Sequence, residues 1–287
     1  DRKFPMLIAS RGFGKAIGVD EVIQTPNGWT KIKNLSVGDT VFGSDGKKCN
    51  ITNTTYTQED LNFYKITLRD GRVIECCEDH QWKVWDKNKN RNKSEAIWSE
   101  LSTKEIAQQY YWERVGEKSN SVEYRYALPI NKCVDFDKVE HVLHPYIVGV
   151  LLGDGSLTQK TVTFTSADDE IINKVIELLP KEYSLKIYSK DNHKVCSFVM
   201  NPEAEKPFYR VCKDIGIWGH GSKTKFIPEE YKYSDKEQRL ELIRGLMDTD
   251  GYSNGQSVIE YYTISEKLSS DFLDVARSLG FTLQRLY

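Results

Sequence analysis

The sequence IVGVLLGDG at residues 147–155 decides the fold of the second half of the chain, and IRGLMDTDG at 243–251 repeats its pattern. In each copy a glycine lies five residues before an aspartate, which is Asp154 in the first copy and Asp250 in the second. Small residues one helical turn apart let two helices approach closely, while apolar flanks seal the contact. The repeat therefore predicts two helices packed side by side about a pseudo-twofold axis, with both aspartates together at their C-terminal ends.

The two aspartates admit two interpretations. Paired carboxylates repel each other and form a site for hard divalent cations, as a phosphodiesterase with two metal ions requires. Alternatively, each Asp-Gly is an ordinary helix end, with the glycine as the cap and the aspartate in solvent. Two copies at matched spacing, each followed by a predicted strand and helix, favour the functional interpretation.

These residues resemble the LAGLIDADG family of homing endonucleases, with 147–155 and 243–251 as the two signature helices. The family also has a K-x-I-P segment shortly before the second helix, and residues 225–228 read KFIP. The resemblance implies an α+β domain with a β-saddle over double-stranded DNA, Asp154 and Asp250 as the Mg²⁺-binding acids, and Lys225 as a group that stabilises charge in the transition state. Lys223 could take the place of Lys225.

The first part of the chain has a different pattern. Short β-like stretches between Val19 and Trp85 are separated by turn signals, which predicts an all-β module of hairpins. The polar run 86–95 is predicted to be an exposed loop. Residues 99–115 are predicted to form a capped helix that begins near Ser102 or Thr103.

Residues 16–46 and 71–82 resemble the first and second blocks of a Hint (hedgehog/intein) splicing domain. The family's Thr-x-x-His pair holds the scissile peptide, and the histidine protonates the departing amide nitrogen. His80 occupies that place. Cys77 stands where the family has threonine, and a thiol makes a weaker hydrogen bond than a hydroxyl. Either a functional variant or decay explains this departure. The resemblance implies that Cys77 and Asp79 help to orient the site and that this chemistry needs no cofactor.

Ala16 stands where most inteins carry the cysteine or serine that attacks the preceding carbonyl. Alanine has no nucleophile. Either a cysteine has been replaced, which we favour, or this is an alanine-start intein whose downstream nucleophile attacks the Lys15–Ala16 bond directly.

The fifteen residues before this junction have the character of a host protein. Residues 9–15, ASRGFGK, fit A-x-x-x-x-G-K, a phosphate-binding loop that includes Gly14 and Lys15 but lacks the following Ser or Thr. The segment IASRGFGK resembles the ATPase of phage terminase large subunits. A Ser or Thr after the inserted element would restore this Walker A motif on splicing.

The sequence thus divides into four segments: 1–15 as host sequence, 16–95 as the N-terminal part of the splicing domain, 96–143 as a linker with a helical insertion, and 144–287 as the endonuclease with an incomplete second half. The terminal strand with His-Asn that completes an intein is not present. We therefore expect the N-terminal fragment of a split intein or a truncated precursor, whose partner is a C-terminal intein fragment with the downstream host sequence.

Composition limits the alternatives. Residues 1–143 carry 22 basic and 21 acidic side chains and residues 144–287 carry 18 and 21, so DNA binding must depend on a local patch. With this balance and an incomplete second half, a degenerate nuclease and one that is active only once complemented both stay open. The six cysteines form no C-x-x-C pair, which favours reduced thiols. No apolar run suits a membrane span or signal peptide, so a cytoplasmic protein is expected.

Two rival functions stay open: a free-standing LAGLIDADG nuclease or maturase with a nucleic-acid-binding β module, and a non-catalytic Hint-like binding module.

Overall fold

A computed structural model describes residues 17–54, 61–91, 93, 95–115, 120–190, 192–256 and 258–285. The chain divides into two units. The first comprises the described parts of Asp1–Val134 and Thr282–Tyr287, and the second is Asp135–Phe281. Gly14, Lys15 and Ala16, and with them the predicted phosphate-binding loop and junction, lie outside the described residues.

The first unit consists of short antiparallel strands in two- and three-stranded sheets. Its elements, which include one 3-10 helix (Ile32–Asn34), are β1 (Val22–Thr25), β2 (Gly28–Lys31), β3 (Thr40–Phe42), β4 (Lys48–Asn50), β5 (Phe63–Thr67), β6 (Val73–Cys77), β7 (Gln81–Asp86), α1 (Lys87–Asn90), β8 (Trp98–Ser102), α2 (Thr103–Gln108), β9 (Tyr111–Val115), β10 (Asn120–Tyr124) and β11 (Tyr126–Ala127). Hairpins β1–β2, β3–β4 and β5–β6 turn at the predicted glycine-containing signals. Gly71, for example, has a φ of 83°, a conformation that favours glycine.

Alternating residues of β6 and β7 form a buried cluster in the core of this unit. Ile74, Cys76, Trp82 and Val84 are buried together, as expected for strands with one face turned inward. The partly buried residues packed against them include Leu101 and others from the segment that follows β7. Strands β8 and β11 of that segment pair with β7 in one sheet, in the order β11-β7-β8. Part of the predicted linker therefore belongs to the packed core of the first unit.

The helix predicted over 99–115 is confirmed at its start and wrong in its extent. Ser102 caps α2 in a capping box with Glu105. The helix ends at Gln108, because Tyr111–Val115 forms β9 and pairs with β10. Aromatic and β-branched residues favour a strand once a partner strand is available. Within the run predicted to be a loop, residues 87–90 form the single turn α1.

The second unit contains the two signature segments as helices in a repeated order of elements. These elements are α3 (Pro145–Asp154), β12 (Gly155–Ser156), β13 (Thr163–Ser166), α4 (Asp169–Leu178), β14 (Tyr183–Lys190), β15 (His193–Met200), α5 (Phe208–Asp214), α6 (Glu229–Lys232), α7 (Lys236–Asp250), β16 (Gly251–Ser253), β17 (Ile259–Tyr261) and α8 (Glu266–Ser278). The series α3-β12-β13-α4 recurs as α7-β16-β17-α8. In the first copy β14 and β15 extend the antiparallel sheet to the order β12-β13-β15-β14.

Helices α3 and α7 approach closely along the glycine stripe that the sequence predicts. A Cβ built on Gly149 would lie 2.5 Å from the carbonyl oxygen of Leu242 and 2.9 Å from Cα of Gly245. A Cβ on Gly245 would in turn lie 2.3 Å from the carbonyl oxygen of Tyr146. Ordinary side chains do not fit at such distances, so both positions require glycine for the observed packing.

Two further findings concern both units. None of the described helices combines the length and apolar character needed to cross a membrane. None of the six cysteines, all of which lie within the described residues, forms a disulfide.

Candidate active sites

The second unit brings Asp154 and Asp250 to the paired C-terminal ends of α3 and α7. Each aspartate is the last residue of its helix and precedes a glycine that starts a short strand. A Cβ built on Gly153 would lie 3.2 Å from Oδ2 of Asp250 and even closer to Thr249, so the Asp250 carboxylate lies against the last turn of α3. The convergence of the two acids follows from the glycine-mediated packing of their helices.

Lys225 lies in the same place, buried with 4% of its surface exposed. Its Nζ donates a hydrogen bond to the carbonyl oxygen of Gly153, one residue before Asp154, at 2.6 Å. Its own carbonyl accepts a hydrogen bond from the Ser265 hydroxyl at 2.7 Å, which holds the segment against the start of α8. Lys223 is exposed two residues earlier. Of the two lysines named from the sequence, Lys225 is the one that contacts the acidic helix ends.

The electrostatics of this cluster reflect burial and like charge. Partial burial raises the pKa of both Asp154 and Asp250, and the Asp250 charge raises that of Asp154 further. Burial lowers the pKa of Lys225 to about 8 although both carboxylates oppose the change. Two carboxylates that repel each other gain from a cation between or beside them.

The donor set of this cluster fits Mg²⁺. Carboxylate oxygens are the protein ligands that Mg²⁺ prefers, and this ion usually keeps several waters or substrate phosphates in its remaining positions. Asp154 and Asp250 are the residues that would hold it. Among the described residues no group of three or more His, Cys, Asp or Glu side chains could hold a metal by itself, so the site would need water or phosphate oxygens as further ligands.

In the first unit, His80 lies at the end of a tight turn between β6 and β7. Its backbone N–H donates to the carbonyl of Cys77 at 3.2 Å, and its ring meets that of Trp82 edge-on, with 5.1 Å between centroids. His80 is 6% exposed and Cys77 is 4% exposed, whereas Asp79 is more open to solvent. The structure thus holds Cys77 and His80 inward and leaves Asp79 nearer the surface.

The first described residues run beside the strand that leads into this turn. Ile17 forms an antiparallel bridge with Cys76, and the N–H of Gly18 donates to the carbonyl of Glu75 at 3.0 Å. Ile17 directly follows Ala16 in the chain. The residue next to the predicted junction therefore pairs with Cys76, the residue immediately before Cys77.

Sequence reasoning missed the role of Thr103, which is completely buried beneath the His80 turn. Its N–H donates to the carbonyl of His80 at 2.9 Å, and its hydroxyl accepts a hydrogen bond from the Trp82 indole at 2.9 Å. The capping signal at Ser102 locates the start of α2. It does not reveal that this helix start packs beneath His80, because that depends on the pairing of β8 with β7.

Comparisons with known proteins give relatives but no family. No family model matches the chain. The replicative DNA helicase DnaB of Mycobacterium intracellulare is 27% identical over 292 residues, which cover 97% of this chain and 45% of the helicase. The ATP-dependent DNA helicase Hel308 of Thermococcus kodakarensis is 24% identical over 318 residues, covering 92% of this chain and 27% of that protein.

A third relative is named for a different reaction. The ribonucleoside-diphosphate reductase NrdEB subunit alpha of Bacillus subtilis is 23% identical over 224 residues, which cover 72% of this chain and 18% of the subunit. The chain spans less than half the length of each of these relatives. All three are named as enzymes.

Proposed function

We propose that the chain is a protein-splicing element of the Hint (intein) type that carries a LAGLIDADG homing endonuclease. The observation that carries the splicing part is the bridge between Ile17 and Cys76. It sets the chain just after Ala16 beside the strand that ends at Cys77 and turns into His80. A scissile bond before residue 16 would then lie near the inward-facing histidine that the chemistry requires.

The proposed chemistry is acyl transfer at the Lys15–Ala16 bond. With cysteine at position 16, its sulfur attacks the carbonyl carbon of Lys15, and the bond from that carbon to the nitrogen of residue 16 breaks. The sulfur gives up its proton and the departing nitrogen receives one from His80, so that a thioester joins Lys15 to the side chain of residue 16, which is left with a free amino group. Alanine at this position supplies no sulfur, so the present chain would not break this bond by this route.

The relatives support an inserted element. Two are named as different helicases and one as a reductase subunit, yet this chain aligns with only part of each. Proteins with different named activities are expected to share such a segment if it is an element inserted into each of them. A segment that serves the activity of one protein would not be expected in the others. The terminase-like host suggested by residues 1–15 stays a prediction of the sequence.

Cleavage kinetics test the splicing proposal. The Ala16→Cys protein is incubated with an excess of a small thiol, and the release of residues 1–15 is followed over time. General acid catalysis contributes about 10²- to 10⁴-fold, so adding His80→Gln should slow release by at least about 100-fold. Lys83→Ala is the control, since Lys83 is an exposed residue of β7, the same strand that follows His80. Equal rates for the His80 and Lys83 variants would contradict the proposal.

The nuclease part rests on the convergence of Asp154, Asp250 and Lys225. Bound Mg²⁺ would polarise a phosphodiester and activate water. The chain's own contribution is to hold the two carboxylates together and to keep the Lys225 ammonium fixed beside them by its bond to Gly153. That cation is placed to offset negative charge that develops on a phosphate.

Cation binding tests this part without a known DNA target. Mn²⁺ suits the same oxygen ligands as Mg²⁺, and electron paramagnetic resonance measures how much Mn²⁺ stays free. Asp154→Asn combined with Asp250→Asn should abolish binding. Asp248→Asn on the same helix keeps an oxygen to accept the bond from the Tyr146 hydroxyl and should bind as the unchanged chain does. Equal binding by the double variant would overturn the assignment.

A further inference from the structure

The hydroxyl of Thr103 uses its whole hydrogen-bonding capacity around His80. It donates to the carbonyl of His80 at 3.3 Å and accepts from the Trp82 indole N–H at 2.9 Å. The Cys76 sulfur lies 3.3 Å away. A hydroxyl has one hydrogen and two lone pairs, so with its hydrogen on the carbonyl it accepts from both the indole and the thiol.

The backbone at the start of α2 holds the same turn. The first N–H groups of a helix have no partner within the helix. Here the N–H of Thr103 donates to the carbonyl of His80 at 2.9 Å, and that of Lys104 donates to the carbonyl of Glu78 at 3.0 Å. The Lys104 and Glu78 side chains also form an ion pair at 3.3 Å. The helix start therefore fixes the turn at two of its carbonyls.

The other partners of Thr103 extend the network in two directions. Trp82 meets the His80 ring edge-on, so the bond to its indole helps to set the surface against which that ring packs. Cys76 pairs with Ile17, the residue after the predicted junction. The Thr103 side chain thus bonds both the strand beside the junction and the residues that orient His80.

We propose that Thr103 is a positioning residue for His80. It holds the imidazole relative to the chain that follows residue 16 and makes no contact with the reacting atoms itself. This inference rests on the proposed splicing function for its effect on catalysis. Its geometric content, that the Thr103 hydroxyl sets the environment of the His80 ring, is independent of that function.

The catalytic effect is measured in the Ala16→Cys background, as the rate of thiol-induced release of residues 1–15 between pH 6 and 9. Thr103→Val keeps the shape and removes the hydroxyl, and Thr103→Ser keeps the hydroxyl. A displacement of about 1 Å in a catalytic group can cost about 100-fold. We expect Thr103→Val to slow release by about 10- to 100-fold and to change the pH profile, while Thr103→Ser returns both towards the parent.

Two controls separate positioning from stability. Thr67→Val makes the same change at an exposed position of β5 and should leave rate and pH profile unchanged. Thr103→Ala removes the hydroxyl without setting a methyl against the indole, and replaces Thr103→Val if that variant fails to fold. Folded hydroxyl-free variants that release the peptide at the parent rate across the pH range would overturn the proposal.

A second measurement keeps the inference testable if the Ala16→Cys parent does not cleave, a result that would count against the proposed function. In the unchanged chain, nuclear magnetic resonance follows the titration of the His80 imidazole and the Trp82 indole N–H. Thr103→Val should alter both signals, with Thr103→Ser close to the unchanged chain. A His80 titration that is the same in all three proteins would refute the positioning role.

Discussion

Replacing Gly149 by alanine tests the glycine-mediated packing that brings the two acids together. The new Cβ would lie 2.5 Å from the Leu242 carbonyl oxygen and 2.9 Å from Cα of Gly245, whereas ordinary contact is 3.4–4 Å. Both neighbours are backbone atoms, so relief requires the helices to separate by about 1 Å. A gap of about 0.5–1 Å forfeits about a quarter to a half of each dispersion contact.

The net cost follows from two opposing effects. Overpacking of this kind costs about 1–3 kcal/mol, and backbone neighbours place this site at the upper end. Alanine recovers about 1 kcal/mol of helix propensity relative to glycine. The free energy of unfolding should therefore fall by about 2 kcal/mol, which for a unit of this size lowers Tm by about 4–8 °C.

The assay is calorimetric unfolding of Gly149→Ala beside Gly221→Ala. Gly221 has no atom within 4 Å of a built Cβ and no positive φ. The control variant should melt at the temperature of the unchanged chain or slightly above it, because alanine restricts the unfolded state. If both variants melt alike, α3 and α7 are not in contact at this glycine and the placement of Asp154 beside Asp250 loses its basis.

Three further predictions concern the same two sites. Burial lowers the pKa of Lys225 to about 8, so between about pH 8 and 10.5 the unfolded state binds more protons than the folded state. The stability of the unchanged chain should therefore rise relative to that of Lys225→Met over this pH range in denaturant titrations. A constant difference in stability would contradict this. Because the pKa of Asp154 is raised in the folded chain, its charged form opposes folding. Asp154→Asn should therefore raise Tm at pH 7 but not near pH 3, where the carboxyl is protonated. An equal rise in Tm at both pH values would contradict this. Ser102→Ala removes the helix cap and should lower the free energy of unfolding by about 1 kcal/mol. Amide hydrogen exchange at the start of α2 should become faster. Unchanged exchange would count against the docking of this helix.

Local patterns in the sequence predicted the features of the second unit that depend on neighbouring residues. The glycine spacing before Asp154 and Asp250 predicted both the close helix contact and the meeting of the two acids. The residues that form the contact face of each helix lie close together in the sequence, so local spacing identifies them. The place of Lys225 came instead from a family resemblance, since no local rule shows that its Nζ reaches the carbonyl of Gly153. The structure favours it over Lys223 through burial.

Local sequence patterns did not predict the features that depend on strand pairing between segments far apart in the sequence. The helix predicted over 99–115 stopped at Gln108 because the residues after it pair with another strand. The contact of Thr103 with His80 likewise needs the register of β8 on β7, which places Ser102 opposite Gln81. Cross-strand register of this kind is set by the whole sheet rather than by either segment alone.

The bond between Lys15 and residue 16 is proposed as the site of acyl transfer, and the function depends on it. The most direct test is the intact mass of the Ala16→Cys protein before and after incubation with a small thiol, alone and with the proposed C-terminal intein fragment. We predict a released peptide of residues 1–15 that carries the thiol as a thioester on the Lys15 carboxyl, and a matching loss of mass from the remainder. An unchanged mass in a folded, complemented protein would contradict the splicing function and leave the nuclease as the activity to pursue.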